Sequence, residues 1–434
     1  MSTIARADSG PGLRRLIART REAFDSPVAT YYLLLSVTCA LIVIGLVMVL
    51  SASMIVSIAD ANSPYTVFFS QLTFAVIGLV VMLIAMRLPV RAWKRLSGLT
   101  LIGAVVLQLM VFTPLGFGVQ GNRNWIGIGP VTIQPAELGK IALVLFGATV
   151  LTRKRRVLGR FKEAVVPFVF PVATVVLGLV MMGHDLGTGI VIAAIVGGML
   201  FTAGVRLRWF AIAGAAGAAL LAAATMTSGN RMERIGIWLN PSQCVSSNEY
   251  LYYGICRQPM HARYALADGG LLGIGLGASK EKWQWLAAPH NDFIFAIIGE
   301  ELGLLGALIV LLLFAAFGYA AYRLVMRTDD FFVRIAAAGV MVWILVQAII
   351  NIGAVIGALP IIGVPLPFVS SGGSSLITTM LAAGMLLSFA RAEPGCAHVL
   401  ALRPSAVRGS LAVLSRARGR GRSGASASRG GGRR

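Results

Sequence analysis

Charge is scarce in this chain: only 13% of its 434 residues are charged, whereas 57% are apolar, and the mean hydropathy is +0.81. A soluble domain of this length needs far more polar surface, so most of the chain must face lipid or other apolar helices. Acidic residues are scarcer still, 17 against 38 basic ones, for a formal net charge of +21. So basic a balance can signal nucleic acid, but its distribution excludes that partner. The segment 1–29 carries Arg6, Arg14, Arg15, Arg19 and Arg21, and the tail after Arg391 carries nine arginines and no lysine. Both runs flank the apolar body, which suits anionic lipid headgroups.

Cysteine is also rare. Four are too few for a disulfide framework. Cys39 lies in the first apolar run and Cys396 in the basic tail. Cys244 and Cys256 share one long polar loop, as a bridge or as two thiols. No Walker loop, G-x-S-x-G or dinucleotide fingerprint stands in a strand–helix context, which disfavours an ATPase or serine hydrolase. His184, His261 and His290 lack metal-ligand spacing, so no structural zinc site is expected. No repeat of fixed period is present.

What is present is a series of apolar runs near 31–52, 66–86, 98–114, 136–151, 164–182, 186–204, 209–227, 293–321, 333–356 and 374–390. They predict an all-α polytopic membrane protein of about ten transmembrane helices. The first run is too long and too far in for a cleaved signal peptide. Basic loops at Arg87–Arg95, Arg153–Lys162, Arg206–Arg208 and Arg323–Arg334 alternate with the loops 53–65, 183–185 and 357–373, which hold no lysine or arginine. The positive-inside rule then places both termini in the cytoplasm. The expected organisation is a basic segment 1–29, a membrane domain 30–391 with a large outer loop 228–292, and a basic tail 392–434. From about 404 the tail has the composition of disorder. The long outer loop carries Arg231, Arg234, Arg257, Arg263, Lys280 and Lys282; it is either an ordinary solvated loop or a receiver of a phosphorylated ligand.

Ionisable residues at membrane depth mark function by default, and four clusters fall on the outer side. GNRNWIGIGPVTIQPAELGK, 121–140, supplies Arg123, then Glu137 and Lys140 at i, i+3 on one helical face. That pair is either a mutual ion pair or part of a pyrophosphate or hydroxyl site. Asp185 in HDLGTG, 184–189, is either a helix N-cap or a cavity acid. His290 and Asp292 open the eighth helix, where Asp292 either complements the helix dipole or faces a substrate. On a helical wheel Gly299, Gly303 and Gly306 share the Asp292 side and Glu301 lies opposite. Ser370, Gly372, Gly373 and Ser374 form a turn feeding the tenth helix, either an anion cradle or a capped re-entrant turn.

Together these clusters resemble the SEDS family, the shape, elongation, division and sporulation proteins. The resemblance spans roughly 30–391 and rests on WIGIGPVTIQPAELGK, HDLGTG, ARYALADGGLLGIGLGASKEKW at 262–283, HNDFIFAIIGEELGLLG at 290–306 and NIGAVIGALPIIGVPLPFVSSGGSS at 351–375. The chain is more similar to the division member than to the elongation member. The resemblance implies polymerisation of lipid II at the outer leaflet, beside a class B penicillin-binding protein and other division proteins. It places the family's essential aspartate on Asp292 and its cavity residues on Glu137, Lys140 and Asp185. His261 stands where the family usually has glutamine, and Ser371 where many members have tyrosine.

On this reading Asp292 is the general base for the acceptor hydroxyl. Arg123, Lys140, Arg263, Lys280 and Lys282 are the candidate cations for the departing diphosphate. A divalent cation could share that task, but the sequence offers no clear ligand set, so no cofactor is assigned. Two rivals remain, a lipid II flippase and a non-catalytic scaffold. The ionisable groups gather on one side with no chain of them crossing, which favours surface chemistry over passage.

Overall fold

The computed structural model describes residues 26–399 except 27, 60–62, 120–121, 129–130, 227–228, 245–248, 284, 394 and 397–398. The N-terminal arginines and the tail arginines therefore lie outside the described residues. Thr30–Ala390 forms one compact unit.

A chain segment in hydrocarbon must satisfy its own backbone, and continuous helices do so. The apolar runs accordingly form α1 (Ala29–Ala59), α2 (Thr66–Ala85), α3 (Val90–Met110), α4 (Pro135–Arg153), α6 (Thr174–Met182), α7 (Leu186–Thr202), α8 (Leu207–Met226), α12 (Ile294–Arg327), α13 (Phe331–Val355) and α14 (Gly373–Arg391). Between them lie the short α5 (Phe161–Val165), a π-helical turn (Phe168–Ala173) leading into α6, and three outer-loop helices, α9 (Gly229–Leu239), α10 (Glu249–Tyr253) and α11 (Arg257–Gly269). Each predicted run thus carries a helix. Among the described residues six helices, α1, α2, α4, α12, α13 and α14, are long and apolar enough to cross a membrane unaided, and Phe168–Met182 and Leu186–Thr202 are shorter apolar helices. The most apolar stretches of α4, α13 and α14 are 72%, 72% and 78% buried against 22% for α2, which makes these three the inner helices. α13 packs on α4, α7 and α12.

The chain is mostly helical, as expected, with one small sheet that the sequence reading did not foresee. β1 (Gly116–Val119), β2 (Asn122–Ile128) and β3 (Val131–Ile133) form a small antiparallel sheet in the order β1-β2-β3. The short segments on either side of Gly/Pro positions cannot sustain helix, and alternation in NRNWIGI lets Ile126 turn inward while Arg123 stays exposed.

The helical wheel also fails, because α12 is broken at Gly303 (φ 68°, ψ −167°). A loop is spliced into the break. Ile274 and Gly275 N–H donate to the carbonyls of Glu300 and Glu301, while Leu304 and Leu305 N–H donate to Gly270 and Leu271. Two of the carbonyls and two of the N–H groups that the break frees are thereby met, which lowers the cost of breaking the helix. A side chain at 303 would strike Gly273 N at 2.3 Å. Below the break Glu301 receives both Ser51 Oγ (2.7 Å and 2.6 Å to its two oxygens) and Lys282 Nζ (3.1 Å), tying α12 to α1 and the outer loop.

The turn before α14 seats on α1 at Gly45, where a Cβ would meet Phe368 O and Val369 Cα at 2.7 Å. Neither is a flexible side chain, so overpacking cannot relax locally. Gly45→Val is expected to cost about 1–3 kcal/mol. Gly98→Val, also within a helix but with nothing near its Cβ, should cost much less. Thermal unfolding of both variants in detergent checks the difference; equal melting points would refute the seat.

Candidate active site

The four clusters converge at one end of the bundle, because α4, α7, α12 and α14 all start there. The first two are joined by Asp185. It caps α7 by accepting from Thr188 N (2.9 Å), and its other oxygen accepts Asn124 Nδ2 (2.9 Å), Gln134 Nε2 (3.1 Å) and Thr188 Oγ1 (2.9 Å). The cap reading of Asp185 therefore describes its contacts, and the sheet that carries Asn124 is locked to it. The Arg123 backbone N–H adds a bond to Gly183 O (2.9 Å).

The fourth cluster braces the first and third. Ser374 Oγ accepts from Gln134 N (3.2 Å). Ser370 Oγ donates to Asn291 O (2.7 Å), and Ser371 N donates to His290 O (2.9 Å). Gly372 N–H is taken by Gln71 Oε1 (3.2 Å), and a Cβ at Gly373 would enter the Phe74 ring at 2.6 Å. The expected anion cradle is instead a packed brace: the N–H groups of Ser371 and Gly372 already have partners, and the Gly373 seat is filled by Phe74. It holds the His290–Asp292 turn in place.

Lys140 is 1% exposed. Its ammonium bonds Glu137 Oε1 (2.7 Å) and Gln347 Oε1 (3.0 Å) and lies 4.8 Å from the Trp343 ring centroid. Glu137 Oε2 accepts Thr378 Oγ1 (3.2 Å). Lys282, 4% exposed, closes a second interior pair with Glu301. Both ammoniums are buried against carboxylates, so the expected assignment of Lys140 and Lys282 to the diphosphate gives way to a structural one. Lys280 is exposed and pairs with Asp268 (3.2 Å); Arg123 is exposed and donates to Thr113 O (2.9 Å). His261 bonds Glu281 through Nδ1 (2.7 Å) and stacks on Trp285.

Asp292 is different. It stands half-buried in a cavity lined with Asn351, Ile361 and Val364. Among the described residues its carboxylate accepts no hydrogen bond, while its backbone carbonyl is held by Asn351 Nδ2 (2.9 Å). Enclosure by protein pushes its pKa up to about 6, Arg234 pulls it down, and the Asp185 carboxylate raises it further. A carboxylate held in place but with unused lone pairs can accept a proton from a ligand. Beside this cavity lies a larger cleft lined by Arg234, Trp238, Gln258, Arg263 and Gly357; the two share Ala354 and Ile361. Cys244 and Cys256 are disulfide-bonded with Cα atoms 5.7 Å apart, and Cys244 lines the cleft.

Sequence reasoning passed over Gln71, Asn124, Gln134, Glu300, Gln347 and Asn351, and placed Glu301 only by its side of the helix. An amide inside an apolar run, as in VWILVQAIIN, was the available signal, because an amide in hydrocarbon needs partners. No group of three His, Cys, Asp or Glu side chains that could hold a metal ion occurs among the described residues.

The fold and site define a multi-pass membrane protein in which the half-buried acid Asp292 adjoins a cationic cleft at the helix starts. The family described as "Cell cycle protein", that of FtsW, RodA and SpoVE, matches residues 31–394, and the chain belongs to it. This is the SEDS family. The Mycobacterium tuberculosis protein named "Probable peptidoglycan glycosyltransferase FtsW" is 37% identical over 387 residues, 89% of this chain and 72% of that one. Stage V sporulation protein E of Bacillus subtilis is 36% identical over 362 residues, 83% of this chain and 96% of that one. Thermus thermophilus RodA shares the fold with a TM-score of 0.60 at 23% identity, over 83% of this chain and 96% of that one. A chain of a peptidoglycan synthase complex shares it with a TM-score of 0.67 at 23% identity, over 83% and 98%.

Proposed function

We propose that this peptidoglycan glycosyltransferase joins lipid II units into glycan chains at the outer leaflet during cell division, with Asp292 as its general base. The carrying observation is the Asp292 carboxylate, clamped through its backbone, unbonded at its oxygens and adjoining a guanidinium-lined cleft. Asp292 takes the proton of the acceptor hydroxyl as that oxygen attacks the donor's anomeric carbon. The bond from that carbon to the diphosphate oxygen breaks, and the polyprenyl diphosphate leaves with the electron pair. Relatives named as peptidoglycan glycosyltransferases support the reading.

The cation pattern of the loops supports both termini in the cytoplasm and about ten spans, with the site outside. The solved fold relative from a synthase complex supports a class B penicillin-binding partner. Other division proteins and septal location follow from the similarity to FtsW, and the basic ends suit anionic lipids. A divalent cation bridging the diphosphate would draw its ligands mainly from substrate oxygens, given the few carboxylates nearby.

The test is the purified chain with labelled lipid II, with and without its penicillin-binding partner. Glycan chains are the expected product; transbilayer movement without chains would overturn the reading in favour of a flippase. The general base works ionised, so with its pKa about 6 turnover should fall about tenfold per pH unit below 6 and level off above it. A rate flat from pH 5 to 8 would exclude Asp292 from proton transfer.

A further inference from the structure

We infer that the cleft between α9, α11 and the 357–361 turn seats the diphosphate of a polyprenyl-linked sugar, with Arg234 and Arg263 as its two cationic walls. This rests on the reading of the chain as a transferase acting on such a lipid, and it assigns Arg234 a part in that reaction.

The other candidate cations do not line this cleft. Lys140 and Lys282 lie in interior ion pairs, Lys280 bonds Asp268, and Arg123 bonds Thr113 O. Arg263 is partly buried, yet among the described residues its guanidinium makes no hydrogen bond or ion pair. Arg234 spends a single bond, 3.3 Å to Ile361 O. Two guanidinium forks thus keep most of their donors pointed at a shared space. Both side chains are partly exposed along the cleft, and a phosphate's oxygens match the planar guanidinium fork.

The walls are built to keep that space. Gly357 (φ 81°) has no side chain, and a Cβ there would fall 2.8 Å from Arg263 Nε and Nη2. Trp238 Nε1 donates to Gly357 O (3.1 Å), pinning α9 to the turn. Met260 and Leu359 supply apolar wall.

Position fits the reaction as well. Substitution at an anomeric carbon sets the base and the departing oxygen on opposite sides of one atom. The Asp292 cavity and the arginine cleft abut along Ala354 and Ile361. Arg234 also acts on Asp292 across that boundary. A diphosphate between the guanidiniums leaves its sugar beside Asp292.

Binding to the full chain in nanodiscs tests this, with fluorescent polyprenyl diphosphate, uncharged polyprenol, and inorganic pyrophosphate or phosphatidylglycerol as competitors. The expected result is diphosphate affinity at least about tenfold above that for polyprenol, reduced about tenfold or more by Arg234→Gln and by Arg263→Gln, with polyprenol binding unchanged. Weak competition by pyrophosphate also supports an anion seat. Arg263→Gln carries the test if Arg234→Gln fails to fold, because among the described residues Arg263 makes no hydrogen bond or ion pair that its loss would strand. Unchanged affinity in both variants, or phosphatidylglycerol competing as well as the diphosphate, would overturn the proposal. Binding needs no turnover. A chain that binds as expected but makes no glycan defeats only the polymerase reading, and one that makes glycan with unaltered affinities defeats only this one.

Discussion

Asp292→Asn is expected to lower lipid II polymerisation by about 10²–10⁴ while leaving the chain folded and inserted. The amide keeps the size of the carboxylate but cannot take a proton. Folding should survive for a structural reason. No hydrogen bond from the described residues reaches the Asp292 carboxylate, so the substitution strands no donor. The turn is held instead by Asn351 at the Asp292 carbonyl and by Ser370 and Ser371 at the carbonyls of Asn291 and His290. Ordinary melting behaviour with lost polymerisation supports the assignment. Normal polymerisation by the variant would remove Asp292 from the chemistry and leave its isolation in the cavity unexplained.

Lys140→Met should be the most destabilising single change, at about 3–5 kcal/mol. Glu137 and Lys140 each have 2% of their side-chain surface exposed, so removing the ammonium leaves a buried carboxylate with only Thr378 Oγ1 against it. Gln347 loses a donor at the same time, although Trp343 Nε1 still reaches its Oε1 at 2.8 Å. The double change Glu137→Gln with Lys140→Met removes both charges and should recover much of the loss, because isosteric neutral groups avoid the desolvation of an unpaired ion. Melting temperature and the monodisperse fraction in detergent read this out. A single variant as stable as the parent would mean that Lys140 is not an interior ion-pair partner and would return it to the substrate cations.

The difference between these two residues shows where sequence reading stopped. Glu137, Lys140, Asp185 and Asp292 were all found, since ionisable groups near apolar runs stand out against hydrocarbon. Their states could not be read. The i, i+3 spacing of Glu137 and Lys140 allows a pair or a site, and the choice turns on Gln347, Trp343 and Thr378, which arrive from helices more than 200 positions away in the chain. The cations of the outer loop present the same problem. Lys282 and Arg263 look alike as letters; one is buried against Glu301 and the other opens into a cleft. The turn at Ser370–Ser374 reads equally as an anion cradle or a capped re-entrant turn, because backbone N–H groups in a Gly/Ser turn are available only until another segment, here Gln71 and His290, claims them.

The order of apolar runs, the basic loops between them and the motifs around Asp185 and Asp292 belong to the linear chain. Hydrocarbon length and headgroup charge act on local stretches, so local composition carries them. The break of α12, the small sheet, the paired lysines and the arginine-walled cleft were decided only in three dimensions. Each depends on which distant donor meets which acceptor where water is excluded, and no local pattern encodes that meeting.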